Sequence, residues 1–373
     1  MKAIGVIVEY NPFHNGHLHH LNTAKKLSNA DCVIAVMSGN FVQRGEPAIL
    51  DKWARTKLTI ENGVDLVIEL PYAYTIQSAD TFAYGSIDIL NKLDVDELYF
   101  GSETNDISLL NKTVELFNTV EFQTKIKEYL DKGNNYPSAS GKAVYDLTGA
   151  NFTSNDNLGV QYMTAIKKLN SRIIPKTIKR IHSNYLDMTS THESIASATA
   201  IRSMENPKPY VPNNTYEALK QRNYNWDDYY SLLQYKIVTD NNLNDIFLVD
   251  EGIENRFKKF ILSETFDEFV NQVYTRRYTR NRIRRILTNI LCNVKKREIE
   301  DLQLSKGVPY IRVLGMNDTG RNYLNLIKKN SETPIISKAS ETKSNMMDIE
   351  TKTTFIFDKS LYKNEFLPLI YKK

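Results

Sequence analysis

Two histidines flank a glycine in the stretch His14-Asn15-Gly16-His17 of this 373-residue chain. Imidazoles at that spacing can donate to phosphate oxygens, most strongly when protonated. Gly16 has no Cβ, so a ligand can approach the backbone closely. Such a set suits charge stabilisation on phosphates, where positioning and neutralisation matter more than covalent attack. The plainer reading is a pair of surface histidines at a helix start. His19 and His20 follow inside the same helix; one is expected to be solvated, and neither argues for a metal.

Other residue types that can do chemistry are scattered. Ser197-Ala198-Thr199-Ala200-Ile201-Arg202 is rich in small hydroxyls. Ser197 and Thr199, with the N–H groups of a helix start, can hold phosphates, and Arg202 can neutralise their charge. Taken alone, such a segment is an ordinary helix cap. Asn155 sits in a polar loop and Arg180 ends a strand; by residue type they read as a turn former and a solvated cation. Gln43, Arg44 and Glu46 belong to a loop that either contacts a ligand or is solvated. Glu9 and Asp65 stand near strand ends without a second carboxylate at an identifiable spacing.

The elements that must position these residues alternate. Ile4–Val8 is a short β-branched run, broken by Asn11-Pro12, and a helix with Leu18, Leu21, Ala24 and Leu27 on one face follows. A strand, a tight turn and a helix N-terminus make a ready anion site. Strands are then predicted at 32–37, 66–70, 98–100 and 173–181, with helices at 49–61, 78–93, 109–130, 137–147 and 158–169. This order implies a parallel sheet with right-handed crossovers and helices on both faces. Ligands bind such sheets beyond the carboxyl ends of the strands, where the strand order reverses. The turns at His14 and Gly101 both fall on that edge. A boundary is expected at Asn206-Pro207-Lys208-Pro209, which divides the chain into 1–205 and 206–373. The second part reads as mainly helical, with short strands at 309–314 and 334–337.

Composition narrows the classes. No apolar run is long enough to span a bilayer. The chain enters a strand almost at once, so no secretory signal is expected. Two cysteines, Cys32 and Cys292, argue against a disulfide scaffold or a cysteine-rich zinc site, and the cytoplasm is the expected compartment. Net charge is +4, but residues 271–300 carry nine Lys/Arg and two Glu, a local +7 that leaves −3 for the rest. Arg276, Arg277, Arg280, Arg284 and Arg285, with Tyr274 and Tyr278 interleaved, suit RNA phosphates and unstacked bases. Arg277, Arg280 and Arg284 are expected on one face of a basic helix over 279–297, whose apolar stripe packs on its own domain. An ordinary solvated helix face is the alternative.

The H-x-G-H spacing resembles the signature of the nucleotidyltransferase superfamily, in which the histidines bind ATP phosphates. Longer segments are more specific. Gly5 to His17, Met37 to Pro47, Phe100 to Glu103, Ser197 to Arg202 and Val313 to Asn317 resemble the bacterial tRNA(Met) cytidine acetate ligases. The resemblance implies a Rossmann-like doubly wound α/β domain at 1–205 that binds ATP, with Mg2+ accompanying it, and a mostly helical RNA-binding domain at 206–373. It implies that acetate is activated as acetyl-adenylate and passed to N4 of the wobble cytidine in elongator tRNA(Met). The family's nucleotide segment falls on Ile7-Val8-Glu9-Tyr10-Asn11-Pro12-Phe13-His14-Asn15-Gly16-His17-Leu18-His19-His20, its later glycine on Gly101, its Asn on Asn155 and its Arg on Arg180. His14 and His17 would be catalytic, with no resident metal. The family tends to have P-N-N-I-L-G where this chain has Ser154-Asn155-Asp156-Asn157-Leu158-Gly159. A small-molecule adenylyltransferase, of the pantetheine-phosphate or nicotinamide-mononucleotide kind, would share the first motif. A non-catalytic RNA-binding protein on a degenerate nucleotide fold is the rival of another class.

Overall fold

In the computed structural model, which describes residues 1–180, 194–329 and 331–372, the apolar runs become strands. They are β1 (Ala3–Val8), β2 (Cys32–Ser38), β3 (Phe41–Val42), β4 (Glu46–Pro47), β5 (Leu66–Leu70), β6 (Glu97–Ser102), β7 (Ile174–Lys179), β8 (Ile311–Asn317), β9 (Ile335–Ile336) and β10 (Ile370–Lys372). The main sheet runs β10-β8-β5-β2-β1-β6-β7, with β9 beside β8; β3 and β4 form a separate hairpin. β2 and β5 are buried along their whole length, which is why they read as unbroken apolar runs rather than alternating ones. The chain lays down β2 and β5 on one side of β1, then crosses to place β6 and β7 on the other. The expected reversal point therefore lies between β1 and β6.

Several helices differ from their sequence reading. The 49–61 helix starts only at Lys52, because Asp51 caps it by accepting from Trp53 N and Ala54 N, both at 2.9 Å. The 109–130 helix is two, Ile107–Leu116 and Val120–Asp131, since Thr119 caps the second by accepting from Phe122 N at 3.2 Å. The helix expected from Leu158 begins at Ser154, which moves Asn155 from a loop into a first helical turn. The basic helix stops at Leu291, and a left-handed Asn293 separates it from Lys296–Asp301. The final residue expected in β7, Ile181, lies outside the described residues.

The sheet crosses the expected division at 206. β8 and β10 come from the C-terminal part, yet they continue the N-terminal sheet. β8 pairs antiparallel with β5, from Leu66 opposite Met316 to Glu69 opposite Arg312. The strand predicted at 309–314 carries only a short, local signal; what makes it a sheet member is its buried face and a charged residue with buried partners.

Those partners form a closed ion cluster. Lys52 and Arg312 are buried away from water. Lys52 Nζ lies 2.6 Å from Glu69, 2.8 Å from Glu365 and 3.5 Å from Glu350. Arg312 pairs with Glu69 at 3.0 Å and also with the carboxylate of Glu365. Burial, then Glu69, pushes the Glu350 carboxyl up to about 8, so it holds a proton at neutrality and the cluster balances. Its other oxygen accepts from Tyr72 N at 2.7 Å. The helix Asn345–Phe357 and the stretch around Glu365 are thereby tied to the sheet.

Two outcomes follow. Arg312→Met should lower unfolding free energy by about 3–5 kcal/mol in urea titrations, because it strands buried carboxylates. Glu350 has a folded pKa raised above its ordinary 4.5, so its share of stability is complete below that value and is lost as pH rises towards about 8. Glu350→Gln should flatten the stability–pH curve in that window; an unchanged slope would place the proton elsewhere.

Candidate functional site

β1 and β6 pair only at their starts, where Ile4 faces Glu97 and Gly5 faces Leu98. Beyond that the strands part, and a cavity of about 300 Å³ opens over their carboxyl ends. Ile7, Val8, Glu9, Tyr10, Asn11, His14, Gly16, His17, His19 and His20 from the first strand–turn–helix line it. Gly101, Asn155, Arg180, Ser197, Thr199 and Arg202 join them from later elements. Pro12, Phe13, Asn15 and Leu18 are not in the wall. Phe13 and Leu18 pack into the apolar layer beneath. Asn15 donates to the Ser194 and Pro209 carbonyls at 2.9 and 3.0 Å, holding the strap that carries Ser197.

The turn is built tightly. Tyr10 adopts φ 46°, a strained value for its type. Its ring packs 4.6 Å from Phe13 and 4.8 Å from His17, centroid to centroid. His14 caps the Asn15–Ser28 helix: Gly16 N–H donates to His14 Nδ1 at 3.1 Å. That bond assigns the tautomer, with the proton on Nε2. The rings of His14 and His17 stack at 3.6 Å. A Cβ at position 16 would come within 2.9 Å of the His14 ring, so the glycine is demanded by the histidine itself.

The histidines are held in their neutral form. Burial, helped by Arg180 and Arg202, drives His14 down to about 3. Burial, with His14 and Arg180, also lowers His17 well below its ordinary value. Both rings are neutral at pH 7 and offer N–H dipoles rather than cations. His20 is likewise lowered to about 4, chiefly by burial. Nδ1 of His17 and Nε2 of His20 are buried without a hydrogen-bond partner among the described residues. Cationic character at this site comes from arginine.

Two carboxylates gather those arginines. Glu103 accepts from the Asn155 amide at 2.6 Å and lies 3.8 Å from Arg180 Nε. It brings together Asn155 and Arg180, which sequence physics alone leaves unrelated. The departure at position 156 has a clear role. Asp156 is fully buried, accepts from the N–H groups of Glu103 and Thr104 at 3.2 and 3.1 Å, and is also bonded by Ser102 Oγ. It shapes the turn after β6 and does not face the cavity. Glu46 is the second collector. It pairs with Arg202 at 3.3 Å and Arg284 at 2.7 Å, while Arg202 also donates to the Asn11 carbonyl at 2.9 Å. Ser197 accepts from Ala200 N at 3.1 Å as the cap of its short helix.

Gln43, Arg44 and Glu46 line the cavity, so their loop is not simply solvated. It is pinned from behind. Gly45 has φ 76°, and a Cβ there would fall 2.2 Å from the backbone N of Arg285. The basic helix, Arg280–Leu291, thus backs directly onto the cavity loop. This splits the expected basic face. Arg284 is only 23% exposed and is paired with Glu46 and Asp267. Arg285 is half-buried, with Nη1 3.4 Å from the Gln43 carbonyl. Arg276, Arg277 and Arg280 remain at the surface; Arg277 pairs with Glu251, and Arg280 lies 4.5 Å over the Tyr274 ring. The split arises because Ile283, Ile286, Leu287 and Ile290 turn inward, and the arginines flanking that stripe meet the loop.

Sequence reasoning missed the apolar wall formed by Phe82, Tyr99, Phe100, Leu158, Tyr162 and Ile178. At sequence level these positions are indistinguishable from core residues.

The chain is similar to known proteins. A family model described as HIGH Nucleotidyl Transferase matches residues 1–367. The tRNA(Met) cytidine acetate ligase of Geobacillus sp. (strain WCH70) is 42% identical over 96% of this chain and 94% of its own length. The protein of that name from Bacillus subtilis (strain 168) is 39% identical over 96% of this chain and 92% of its own. Thermotoga maritima TmcAL superposes with TM-score 0.91 at 32% identity in its apo form, covering 100% of this chain and 99% of that one. The same protein bound with alpha-thio ATP gives TM-score 0.88.

The charge state of the histidine pair is open to direct test. In nitrogen NMR spectra His14 should hold the neutral Nε2–H tautomer between about pH 5 and 8. A His14 ring titrating at about 6.5 would contradict the geometry.

Proposed function

The chain belongs to the tRNA(Met) cytidine acetate ligases within the HIGH nucleotidyl transferases, and from that we propose that it activates acetate with ATP and acetylates N4 of the wobble cytidine of elongator tRNA(Met). The products are N4-acetylcytidine, AMP and pyrophosphate. The observation that carries this reading is the stacked His14–His17 pair at the helix start, facing an arginine-rich cavity at the strand-reversal point. Acetate is a poor electrophile, and joining it to the α-phosphate supplies a good leaving group. Charge then grows on the departing pyrophosphate. In this reading His14, His17, Ser197, Thr199, Arg180 and Arg202 stabilise it, with N–H dipoles and guanidinium charges fixed before reaction. The apolar wall takes the adenine ring, and Gly101 and Asn155 border it.

ATP enters with Mg2+ as part of the substrate. Among the described residues no group of three or more His, Cys, Asp or Glu could hold an ion. The setting we propose is the cytoplasm; no helix among the described residues is long and apolar enough to cross a membrane. Arg276, Arg277 and Arg280 are the surface cations we assign to tRNA phosphates. Arg284 and Arg285 act from behind the cavity loop. A small-molecule adenylyltransferase would need none of this basic segment, and relatives matching nearly the whole chain carry the tRNA name.

Labelled acetate, ATP and total tRNA should give N4-acetylcytidine by nucleoside mass spectrometry; absence of that product would overturn the reading. His14→Ala and His17→Ala should each slow acetate-dependent ATP–pyrophosphate exchange by about 10²–10³-fold. Replacing Arg276, Arg277 and Arg280 together by Ala should instead weaken tRNA binding. Each arginine–phosphate pairing removed should lower the log–log salt slope by about 0.7–0.9. An unchanged slope would move the RNA surface elsewhere.

A further inference from the structure

The acyl-transfer half of the reaction needs an acceptor for a proton. The cytidine N4 amine is a weak nucleophile, and its proton must leave as the amide forms. The cavity offers few acceptors. His14 already uses Nδ1 to accept from Gly16, and its Nε2 carries a proton. His17 is stacked on it at 3.6 Å, so a proton gained there would meet Arg180 and the neighbouring rings. Glu46 is held between two guanidiniums, those of Arg202 and Arg284. The tyrosines at the wall, Tyr10, Tyr99 and Tyr162, are pushed up, chiefly by burial, and keep their protons. Among the described residues Glu9 is the remaining carboxylate in the wall.

Glu9 is firmly placed. It follows β1 directly. Its backbone carbonyl accepts from the buried Arg55 guanidinium at 2.7 Å. One carboxylate oxygen accepts from Gln43 N–H at 2.7 Å. An ionised carboxylate has about four acceptor positions, so the second oxygen can receive another donor. A carboxylate is also the side chain that pairs with the N4 amino group of cytosine. We propose that Glu9 accepts the N4 amino group of the incoming cytidine and takes its proton as the acetyl–nitrogen bond forms. The nitrogen lone pair attacks the acetyl carbon. The bond from that carbon to the phosphate oxygen breaks, and its electrons leave with AMP. The proton passes to the Glu9 carboxylate and from there to water. The groups facing Glu9 are Arg44, Glu46 and Arg55, with Tyr162 opposite. Burial raises the Glu9 carboxyl above the ordinary range, partly offset by Arg44, which makes it a better base.

This inference rests on the acetate-ligase reading, and its test separates the two. Glu9→Gln keeps an acceptor for Gln43 N–H but cannot take a proton. Acetate-dependent pyrophosphate exchange reports adenylation. Single-turnover transfer from acetyl-adenylate to tRNA, followed across pH, reports the second half. Glu9→Gln should cut transfer by about 10²–10⁴-fold. Its exchange should fall at least about tenfold less, and the decline of transfer at low pH should vanish. Glu9→Asp should restore that acid limb. Binding of alpha-thio ATP to both variants checks that the cavity is intact. If Glu9→Gln transfers with parental rate and pH profile, the adenylate phosphate or water takes the proton and the proposal is wrong. Equal losses in exchange and transfer would also overturn it, by assigning Glu9 to adenylation. A parent protein with neither exchange nor N4-acetylcytidine would instead remove the reading beneath it.

Discussion

Lys52 and Arg312, two cations buried away from water, set the frame for everything else. Buried ion clusters add little net stability over apolar replacements of the same shape. What this one supplies is specificity of assembly. Its carboxylates come from β5, from the helix Asn345–Phe357 and from the stretch before β10. One placement of those segments satisfies both cations at once. Asn40 extends the set, accepting from Lys52 N at 2.8 Å and donating to Thr354 at 3.0 Å. The loop after β2, which carries one wall of the cavity, is thereby fixed from beneath. Arg55 does the same for the loop after β1. Its guanidinium bonds the carbonyls of Leu50, Glu9 and Gly39.

The cavity inherits a particular electrostatic character. Charge sits on the guanidiniums of Arg180 and Arg202, each beside a carboxylate, and the histidines between them are kept neutral. Burial is the larger cause, and the neighbouring arginines add to it. A neutral imidazole costs less to hold in a dry site than an imidazolium, and its N–H can still stabilise charge as that charge appears. The arrangement is preorganised around an anion.

The basic segment is less separate than its composition suggests. Its helix backs onto Gly45, its Arg284 shares Glu46 with Arg202, and its outer arginines stay on the surface. One carboxylate therefore touches both the segment that faces the cavity and the helix that carries the basic surface. Packing of Trp226 and Phe266, stacked at 4.2 Å, supports the same junction, with Trp226 Nε1 donating to the Gly45 carbonyl at 3.1 Å. One apolar cluster holds residues from both sides of position 206, from Ala3 to Phe357.

The sequence by itself determined the first strand–turn–helix and the alternation that builds the parallel sheet. It also located the His14 turn at the sheet's reversal edge. These follow from local pattern, because periodicity, breakers and caps act within a few residues. The strand pattern also put the Gly101 turn on that edge, whereas family resemblance, rather than residue physics, singled out Asn155 and Arg180. Only the tertiary structure decided that Glu103 joins the latter two, that Asp156 shapes the turn after β6, and that Glu46 links Arg202 to Arg284. It alone placed β8 beside β5 and split the basic face between surface and interior. It alone made the histidines neutral. The reason is common to all of these. A side chain's charge state and partners depend on what folds over it, and that is set by residues tens to hundreds of positions away, with no local signal in the sequence.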